Sequence, residues 1–434
     1  MIGDMRYAIL DSRFLILDSR FSGFARWRSY WGLLASLVVF FGAGPQVEAQ
    51  SLDSLRNLLR EHNPQLQALA YEYRAALAVS PQLRQLPNLE LGAMVGVRHV
   101  ETRLGPQMLG LGATQMLPWP GTLAAMADLA DARARPVLEE AAARQLELIY
   151  MLESTYYELL AAEAKQQVIA ENEALYESLR QLALDRLSNG RGSSVNVYRA
   201  ELRLNALGRE LTELQVDQQL GWATIEELVN RSLPRNLVTP PDPPPVVLPA
   251  EPLFDNHPLL RIFRLQEAIS EQELVINDLD ARPELGVGVD YVLIGRRTDA
   301  EPENNGRDAV MARLMVRVPL GGRKFAAKRE EESLRVLAIT SRREAVAAEL
   351  AAALEQADVR RRDALDRLEF LRQQTATLQA TLDIARTEYA NDQREFDELI
   401  ELQEQLLDYR LRAADANRLL YTQIAAIDRY LPRQ

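Results

Sequence analysis

This sequence contains an internal tandem repeat. Four short segments of the first half return in the second half in the same order: Asn63–Leu66 as His257–Leu260, Leu86–Gly92 as Arg282–Gly288, Leu117–Gly121 as Val318–Gly322, and Leu187–Gly190 as Tyr389–Asp392. The spacing between the copies drifts by only a few residues, as differences in loop length would produce. The chain is therefore expected to fold as two copies of one structural unit.

A proline-rich stretch separates the two copies. Five prolines lie within 240–245. Proline has no backbone N–H and a fixed φ, so this stretch is stiff and cannot be the interior of a helix or sheet. We therefore predict a linker over 240–252 between a first repeat over 50–239 and a second repeat over 253–434. We also predict a signal peptide over 1–49.

The first 49 residues have the composition of an export signal. Basic residues precede an uncharged run from Trp31 to Gly44, and a site of small residues ends at Ala49. This order is typical of a secretory signal peptide, and the run is too short for a transmembrane helix. The segment before the run is long for such a signal, so a start downstream of Met1 and an interfacial anchor stay open as alternatives.

The composition excludes several classes of function. The 434 residues include no Cys and only three His, and Asp and Glu outnumber Lys and Arg by 62 to 50. Disulfides, thiolate catalysis, Cys-based zinc sites and a lipid on an N-terminal Cys are therefore excluded. The negative net charge argues against a nucleic acid partner. His62, His99 and His257 are too widely spaced for a metal site or triad, so we predict no catalysis, no cofactor and no bound metal.

Each copy contains a pair of segments with the alternation of β-strands. Apolar residues alternate with small or polar ones over 89–98 in the first copy and over 284–293 and 312–318 in the second, whereas 109–117 alternates less regularly. Strands of about ten residues with one apolar face match those of membrane β-barrels. A soluble sheet with one side on a core gives the same pattern, so the pattern alone leaves both alternatives open.

Long helical patterns with almost no Gly follow each strand pair. They cover about 122–187 and 324–389, and helices of that length are roughly 100 Å long. A short turn leads to a second helix, over about 195–229 and 396–430, and shorter helices over about 64–85 and 258–280 precede the strands. The pattern predicts antiparallel hairpins with apolar seams, in which Asn189 and Gly190 end the first long helix and a Ser caps the next.

Four strands and two long hairpins cannot form a compact globule from one chain. The four strands leave two open edges, and unpaired backbone groups at such edges find no hydrogen-bond partner in lipid. We therefore expect several chains to associate and to share one barrel and one helical tube.

This combination resembles the TolC-type outer-membrane efflux channels. The resemblance depends on Asn63-Pro64 at the first helix, on the strand-to-helix joints Leu117–Gly121 and Val318–Gly322, and on the hairpin turns. It covers essentially all of 50–434, and Pro-Trp-Pro-Gly is its most specific motif. It implies an α+β membrane protein that forms a homotrimer. Four strands per chain would form a shared twelve-strand transmembrane β-barrel, and the long α-helical hairpins would form a barrel that crosses the periplasm.

The resemblance also implies partners and a cargo. The family's channels lie in the outer membrane and dock an inner-membrane pump through a periplasmic adaptor. Some members carry a lipid on an N-terminal Cys, whereas this chain has no Cys and is expected to be anchored by its barrel alone. The Pro-Trp-Pro-Gly joint is similar to that of members that serve heavy-metal pumps. This favours metal ions or small toxic compounds as cargo, and leaves drugs and proteins open.

The family's narrowest point lies at the periplasmic helix tips, where acidic side chains ring the entrance and Tyr and Arg contacts hold it shut. The corresponding stretch is Tyr389–Glu401. The resemblance implies that Glu398 and Glu401, one turn apart on one helix face, form the acidic ring. Tyr389 and Arg394 are then the latch residues. The alternative is an ordinary solvated face, because neighbouring residues are acidic too.

Three arginines on the polar faces of the strands, Arg98, Arg313 and Arg317, are candidates for the barrel lumen. They could instead pair with the acids of the same faces, Glu90, Glu284 and Asp290. We expect both.

Two competing functions remain. A periplasmic coiled-coil adaptor or structural protein without a pore would use the hairpins alone, but would not need the strands or the duplication. A hydrolase or metal-binding protein would need a cluster of ligands or a nucleophile that the sequence does not contain.

Overall fold

The computed structural model describes residues 50–98, 100–241, 246–249, 254–390 and 396–432. The signal peptide predicted over 1–49, part of the predicted linker, and Arg394 lie outside the described residues. None of the helices in the described ranges is long and apolar enough to cross a membrane.

The described chain is mostly helical. Its elements follow one another as α1 (Leu52–His62), α2 (Pro64–Leu77), α3 (Ser80–Leu83), β1 (Glu90–Met94), β2 (Val100–Thr102), β3 (Gly105–Leu117), α4 (Thr122–Ser188), α5 (Ser194–Val229), a 3-10 turn (Phe254–Asn256), α6 (Pro258–Asp280), β4 (Glu284–Ile294), β5 (Ala309–Arg317), α7 (Gly322–Ala390) and α8 (Phe396–Tyr430). A helix, strands and two further helices thus occur twice in the same order.

The helices form two stacked layers that share α4 and α7. In one half of the molecule α5 packs along α4, α4 against α8, and α8 against α7. In the half next to the sheet, α2 and α3 pack on α4, and α6 lies between α4 and α7. The two long helices have 67 and 69 residues and therefore extend for about 100 Å. The shorter helices α5 and α2 succeed one another beside α4, and α8 and α6 do the same between α4 and α7.

Apolar side chains fill the seams between these helices. One cluster at mid-height joins α1, α4, α5 and the C-terminal part of α8 around Leu152, Tyr156 and Trp222. A second cluster joins the ends of α4, α5, α7 and α8 around Tyr176, Leu207 and Leu399. The second cluster determines where the hairpin tips lie, because side chains from all four helices are buried in it.

The strands form one antiparallel sheet in the order β1-β3-β4-β5, with β2 also pairing with β3. Leu285, Val287 and Val289 of β4 are exposed on one face, next to exposed Val316 and Leu314 of β5. The opposite face carries Gly, Met and charged residues. The alternation predicted from the sequence is therefore present, with the apolar face outward in the isolated chain.

Two elements differ from the sequence predictions. The helix predicted over 64–85 ends at Leu77, and the short α3 begins at Ser80. Pro81 explains the break, because it has no N–H for the preceding turn and disfavours helical backbone before it. The strand predicted over 89–98 is shorter and covers only Glu90–Met94 as β1. A separate short strand, β2, follows at Val100–Thr102, and the two strands pair with different parts of β3. Gly96 lies in the gap, where a glycine weakens strand pairing.

Candidate functional site at the hairpin tips

The first hairpin tip is a tight turn between α4 and α5. The N–H of Arg191 donates to the carbonyl of Arg186 at 2.9 Å, and the N–H of Gly190 donates to that of Leu187 at 3.0 Å. Gly190 has φ 71°, which glycine adopts without strain. The Ser193 hydroxyl accepts from the N–H of Val195 at 3.2 Å and caps α5, as the sequence predicted.

The second hairpin packs its tip onto the first. Tyr389 at the end of α7 and Phe396 at the start of α8 have ring centroids 5.7 Å apart, and both side chains are buried. They share an apolar cluster with Leu179 and Ala183 of α4 and Val197 of α5. The turn between them, 391–395, lies outside the described residues. Tyr389 is therefore held by both hairpins.

Arg186 of α4 contacts Tyr389 in two ways. Its guanidinium carbon lies 4.0 Å from the centroid of the Tyr389 ring, a cation–π distance. A guanidinium N–H also donates to the Tyr389 backbone carbonyl at 2.6 Å. The sequence assigned Tyr389 to a latch with Arg394. Sequence reasoning missed Arg186, and no local signal could have found it, because it lies in the other repeat.

The acidic stretch of α8 divides into two faces. Asp397 forms an ion pair with Arg199 of α5. The carboxylate of Glu404, which is also on α8, lies 3.7 Å from Nε of Arg203, which is also on α5. Glu398 and Glu401 are exposed on a neighbouring face of α8. The Glu401 carboxylate accepts from the Gln405 side chain at 3.5 Å. Two of the acids thus join α8 to α5, which the sequence did not predict.

Further polar contacts cross between the hairpins behind the tips. Gln403 of α8 donates to the Asn172 side chain of α4 at 2.6 Å, and Asn172 donates to the carbonyl of Val168 at 2.7 Å. Both amide side chains are nearly fully buried. A buried amide pair between two helices fixes their register, because separating it leaves donors and acceptors unsatisfied. The sequence contained a signal for this pair, since Asn172 and Gln403 are polar residues within otherwise apolar helical seams.

Two ion pairs continue this line of contacts away from the tip. The Arg410 guanidinium lies 3.1 Å from Glu171, and the Lys165 ammonium lies 2.7 Å from Asp415. Near the tip, burial raises the pKa of Tyr176 to about 12, so its hydroxyl stays protonated beside Arg203 at neutral pH. The two hairpins are therefore joined by several polar links in addition to the apolar cluster.

The strand arginines form ion pairs on the polar face of the sheet. Nε of Arg313 donates to Asp290 at 2.9 Å, and Arg317 donates to Glu284 at 2.8 Å. Both pairs join β4 to β5, as the sequence suggested. Arg98 is exposed between β1 and β2. Within the described residues, no group of three or more His, Asp or Glu is arranged to hold a metal ion.

A family model matches the first part of this fold. Residues 55–231, from α1 to the segment after α5, match the model described as "Outer membrane efflux protein". No curated protein matches the chain by sequence.

Solved structures share the fold along nearly the whole chain. The outer-membrane channel OprN is 19% identical, with a TM-score of 0.71 over 88% of this chain and 89% of that chain. CusC, described as forming a transmembrane channel, is 15% identical, with a TM-score of 0.73 over 91% of this chain and 95% of that chain. The outer membrane protein VceC from Vibrio cholerae is 16% identical, with a TM-score of 0.69 over 88% of this chain and 95% of that chain. Residues 55–231 are thus similar to outer membrane efflux proteins, and the chain shares the fold of solved outer-membrane channels.

Proposed function

We propose that this protein is the outer-membrane channel of a tripartite efflux system and acts as a homotrimer. The observation that supports this most directly is that the fold has open edges on both sides. The sheet ends at β1 and β2 on one side and at β5 on the other. In the tip half, the helical layer ends at α5 and at α7. If three copies close into one ring, each edge packs against the edge of a neighbouring copy. A membrane location requires this closure of the sheet, because unpaired backbone groups find no hydrogen-bond partner in lipid.

The side chains at the helical edges support this closure. Tyr198, Leu202 and Leu220 of α5 are all more than 60% exposed in the isolated chain. Phe370 and Ile384 of α7 are 54% and 60% exposed. Large apolar side chains in rows along an unpartnered helix are typical of surfaces that pack against another chain. In the trimer, α5 of one copy would pack against α7 of the next.

The sheet supports a transmembrane barrel shared by the three copies. Its outward face carries apolar side chains on all four neighbouring strands, and its other face carries the ion pairs of Arg313 and Arg317. An apolar exterior and a polar interior are the requirements for a barrel in lipid. Arg98, Arg313 and Arg317 would then line or border the lumen.

The hairpin tips would form the periplasmic entrance. Glu398 and Glu401 from three copies would place six carboxylates around one opening, which attracts cations and disfavours anions. Tyr389 and Arg186, with Arg394 nearby in sequence, would hold the tips closed. The duct itself is passive, and an inner-membrane pump would deliver the cargo through a periplasmic adaptor. Metal ions or small toxic compounds are the cargo we propose.

The native mass and the membrane location test this function. The full chain is expressed in a bacterium with two membranes, the membranes are separated by density, and the extracted protein is weighed in detergent. We expect a stable trimer in the outer-membrane fraction that conducts ions in planar bilayers. A soluble periplasmic monomer or dimer would contradict the channel and favour an adaptor or structural protein without a pore.

A further inference from the structure

The two repeats join their stacked helices by the same device. Asn63 precedes Pro64 and caps α2, because its side-chain oxygen accepts from the N–H groups of Gln65 at 2.9 Å and Leu66 at 3.1 Å. Its side-chain nitrogen donates to the carbonyl of Leu228, the second-to-last residue of α5, at 2.8 Å. One side chain therefore ties the end of α5 to the start of α2.

His257 occupies the same place in the second repeat. It precedes Pro258 and caps α6, because Nδ1 accepts from the N–H of Leu259 at 3.3 Å. Its ring also lies beside Arg429, the second-to-last residue of α8, at a small cavity that both residues line. Asn63 and His257 are 2% and 5% exposed, so both joints are shielded from water. The two joints differ in one respect, which is that an imidazole can take up a proton and an amide cannot.

The charged groups that line the cavity beside His257 are two acidic and two basic side chains. α4 contributes Glu140, Arg144 and Glu147 to the small cavity beside it, and α7 contributes the apolar Leu350. Arg144 forms an ion pair with Glu147. α8 contributes Arg429 and the neutral Tyr430.

The other nearby charges on the same segment are already paired. Arg261 of α6 lies 2.7 Å from Glu139 of α4, and Asp255 before the cap lies 2.6 Å from Arg264. Burial holds the pKa of His257 below its ordinary value, the nearby Arg429 backbone opposes this, and the Arg429 cation adds a smaller lowering.

We propose that His257 makes the joint between α8 and α6 sensitive to pH, whereas the Asn63 joint between α5 and α2 is insensitive. A protonated ring has no acceptor at Nδ1, so the cap on α6 is lost. The same proton places a positive charge at a helix N-terminus, where the macrodipole is also positive. Protonation therefore loosens the joint in two ways.

The direction of the pH effect on the joint follows from the lowered pKa of His257. The folded state favours the neutral ring, so the joint is complete above the pKa of about 6.5 that an unperturbed His has. It weakens as the pH falls below that value and through the lower pKa of the folded protein. The contact that protonation breaks is the cap on α6, whereas the nearby Arg429 backbone of α8 favours the protonated ring. The other end of α8 carries Glu398 and Glu401.

Hydrogen exchange of the detergent-extracted full chain tests this directly. Peptides that cover 257–263 and 63–69 are compared between pH 7.5 and pH 4.5, after correction for the pH dependence of chemical exchange. The first α6 amides are expected to lose protection by roughly five- to tenfold at the lower pH, the size of one lost N-cap. The first α2 amides should keep theirs.

Exchanging the two caps provides the matched variants. His257→Asn is expected to abolish the loss of protection at the first α6 amides at pH 4.5, and Asn63→His should create such a loss at the first α2 amides. The control is His62→Asn, since His62 is exposed and lies beside Glu61. An equal loss of protection in His257→Asn, or none in the unaltered chain, would overturn the proposal. If His257→Asn does not fold, Asn63→His and the two peptides of the unaltered chain still decide the question, whatever the protein transports.

Discussion

Arg186 and Tyr389 lie at the ends of the two longest helices and are joined by a cation–π contact at 4.0 Å and a hydrogen bond at 2.6 Å. Arg186 belongs to the first hairpin and Tyr389 to the second, so the contact ties the two tips of one chain together. Any opening that separates the hairpins must break it. This contact is the part of the proposed latch that the structure describes, and it can be tested by itself.

Removing the Arg186 side chain is expected to weaken the closed tip. A cation–π contact and a hydrogen bond to a charged donor together contribute about 1 to 3 kcal/mol. Arg186→Ala should therefore raise the open probability or conductance of the proposed channel in planar bilayers, and Arg186→Lys should have an intermediate effect, because Lys lacks the planar guanidinium. Arg209→Ala is the control, since Arg209 is 74% exposed and pairs with Glu213 on its own helix. Equal effects of Arg209→Ala and Arg186→Ala would argue against the latch.

The sequence predicted the helices far better than it predicted this contact. The starts of α6 at Pro258 and α8 at Phe396 agree with the predicted positions, because proline and polar turn residues mark helix ends locally. The early end of α2 was missed although Pro81 was visible. The pairing of Arg186 with Tyr389 could not be predicted from the sequence, because it depends on how two hairpins about 200 residues apart in the chain pack against each other.

The residues of the candidate site could likewise be predicted only in part. Glu398 and Glu401 share an exposed face of α8, which their spacing indicated. The sequence could not separate them from Asp397, which pairs with Arg199 of α5. That distinction requires the position of α5 relative to α8, which no local pattern contains.

Neutralising the proposed acidic ring should change ion selectivity. Glu398→Gln combined with Glu401→Gln would remove six negative charges from the entrance of the proposed trimer. The ratio of cation to anion permeability is expected to fall several-fold, and block by divalent cations should weaken, because the field of the ring is lost. Reversal potentials in a salt gradient measure this. Asp408→Asn is the control, since Asp408 pairs with Arg412 on its own helix. Unchanged selectivity in the double variant would assign both glutamates to a solvated face.

Reversing one charge between the hairpins should favour the open tip. Asp397→Arg places two cations where Arg199 and Asp397 now attract each other. Both side chains are about half exposed, so the effect should be modest and should shrink as salt screens the charges. Conductance is expected to rise most at low ionic strength. The double variant Arg199→Asp with Asp397→Arg should restore the original conductance, and a failure to restore it would show that the pair does not link the hairpins.

One glycine of the sheet should be intolerant of even a methyl group. A Cβ on Gly288 would lie 2.7 Å from the Ala113 backbone oxygen and 2.9 Å from the Thr114 hydroxyl. A backbone atom cannot move aside without shifting β3 from β4, so Gly288→Ala should destabilise the sheet by roughly 1 to 3 kcal/mol. Gly92 is the matched control on the same face of the sheet, because a Cβ there meets nothing within 4 Å.

Thermal unfolding of the extracted protein, followed by circular dichroism in the strand region, separates the two glycine variants. Gly92→Ala should leave the midpoint almost unchanged, since a Cβ at an open strand position adds no clash and removes unfolded-state freedom. Gly288→Ala should lower it by several degrees. The two variants add the same atom to the same kind of strand residue, so a difference between them reports only the contact between β3 and β4. Equal midpoints would mean that these strands are not paired in the register of Thr114 opposite Gly288.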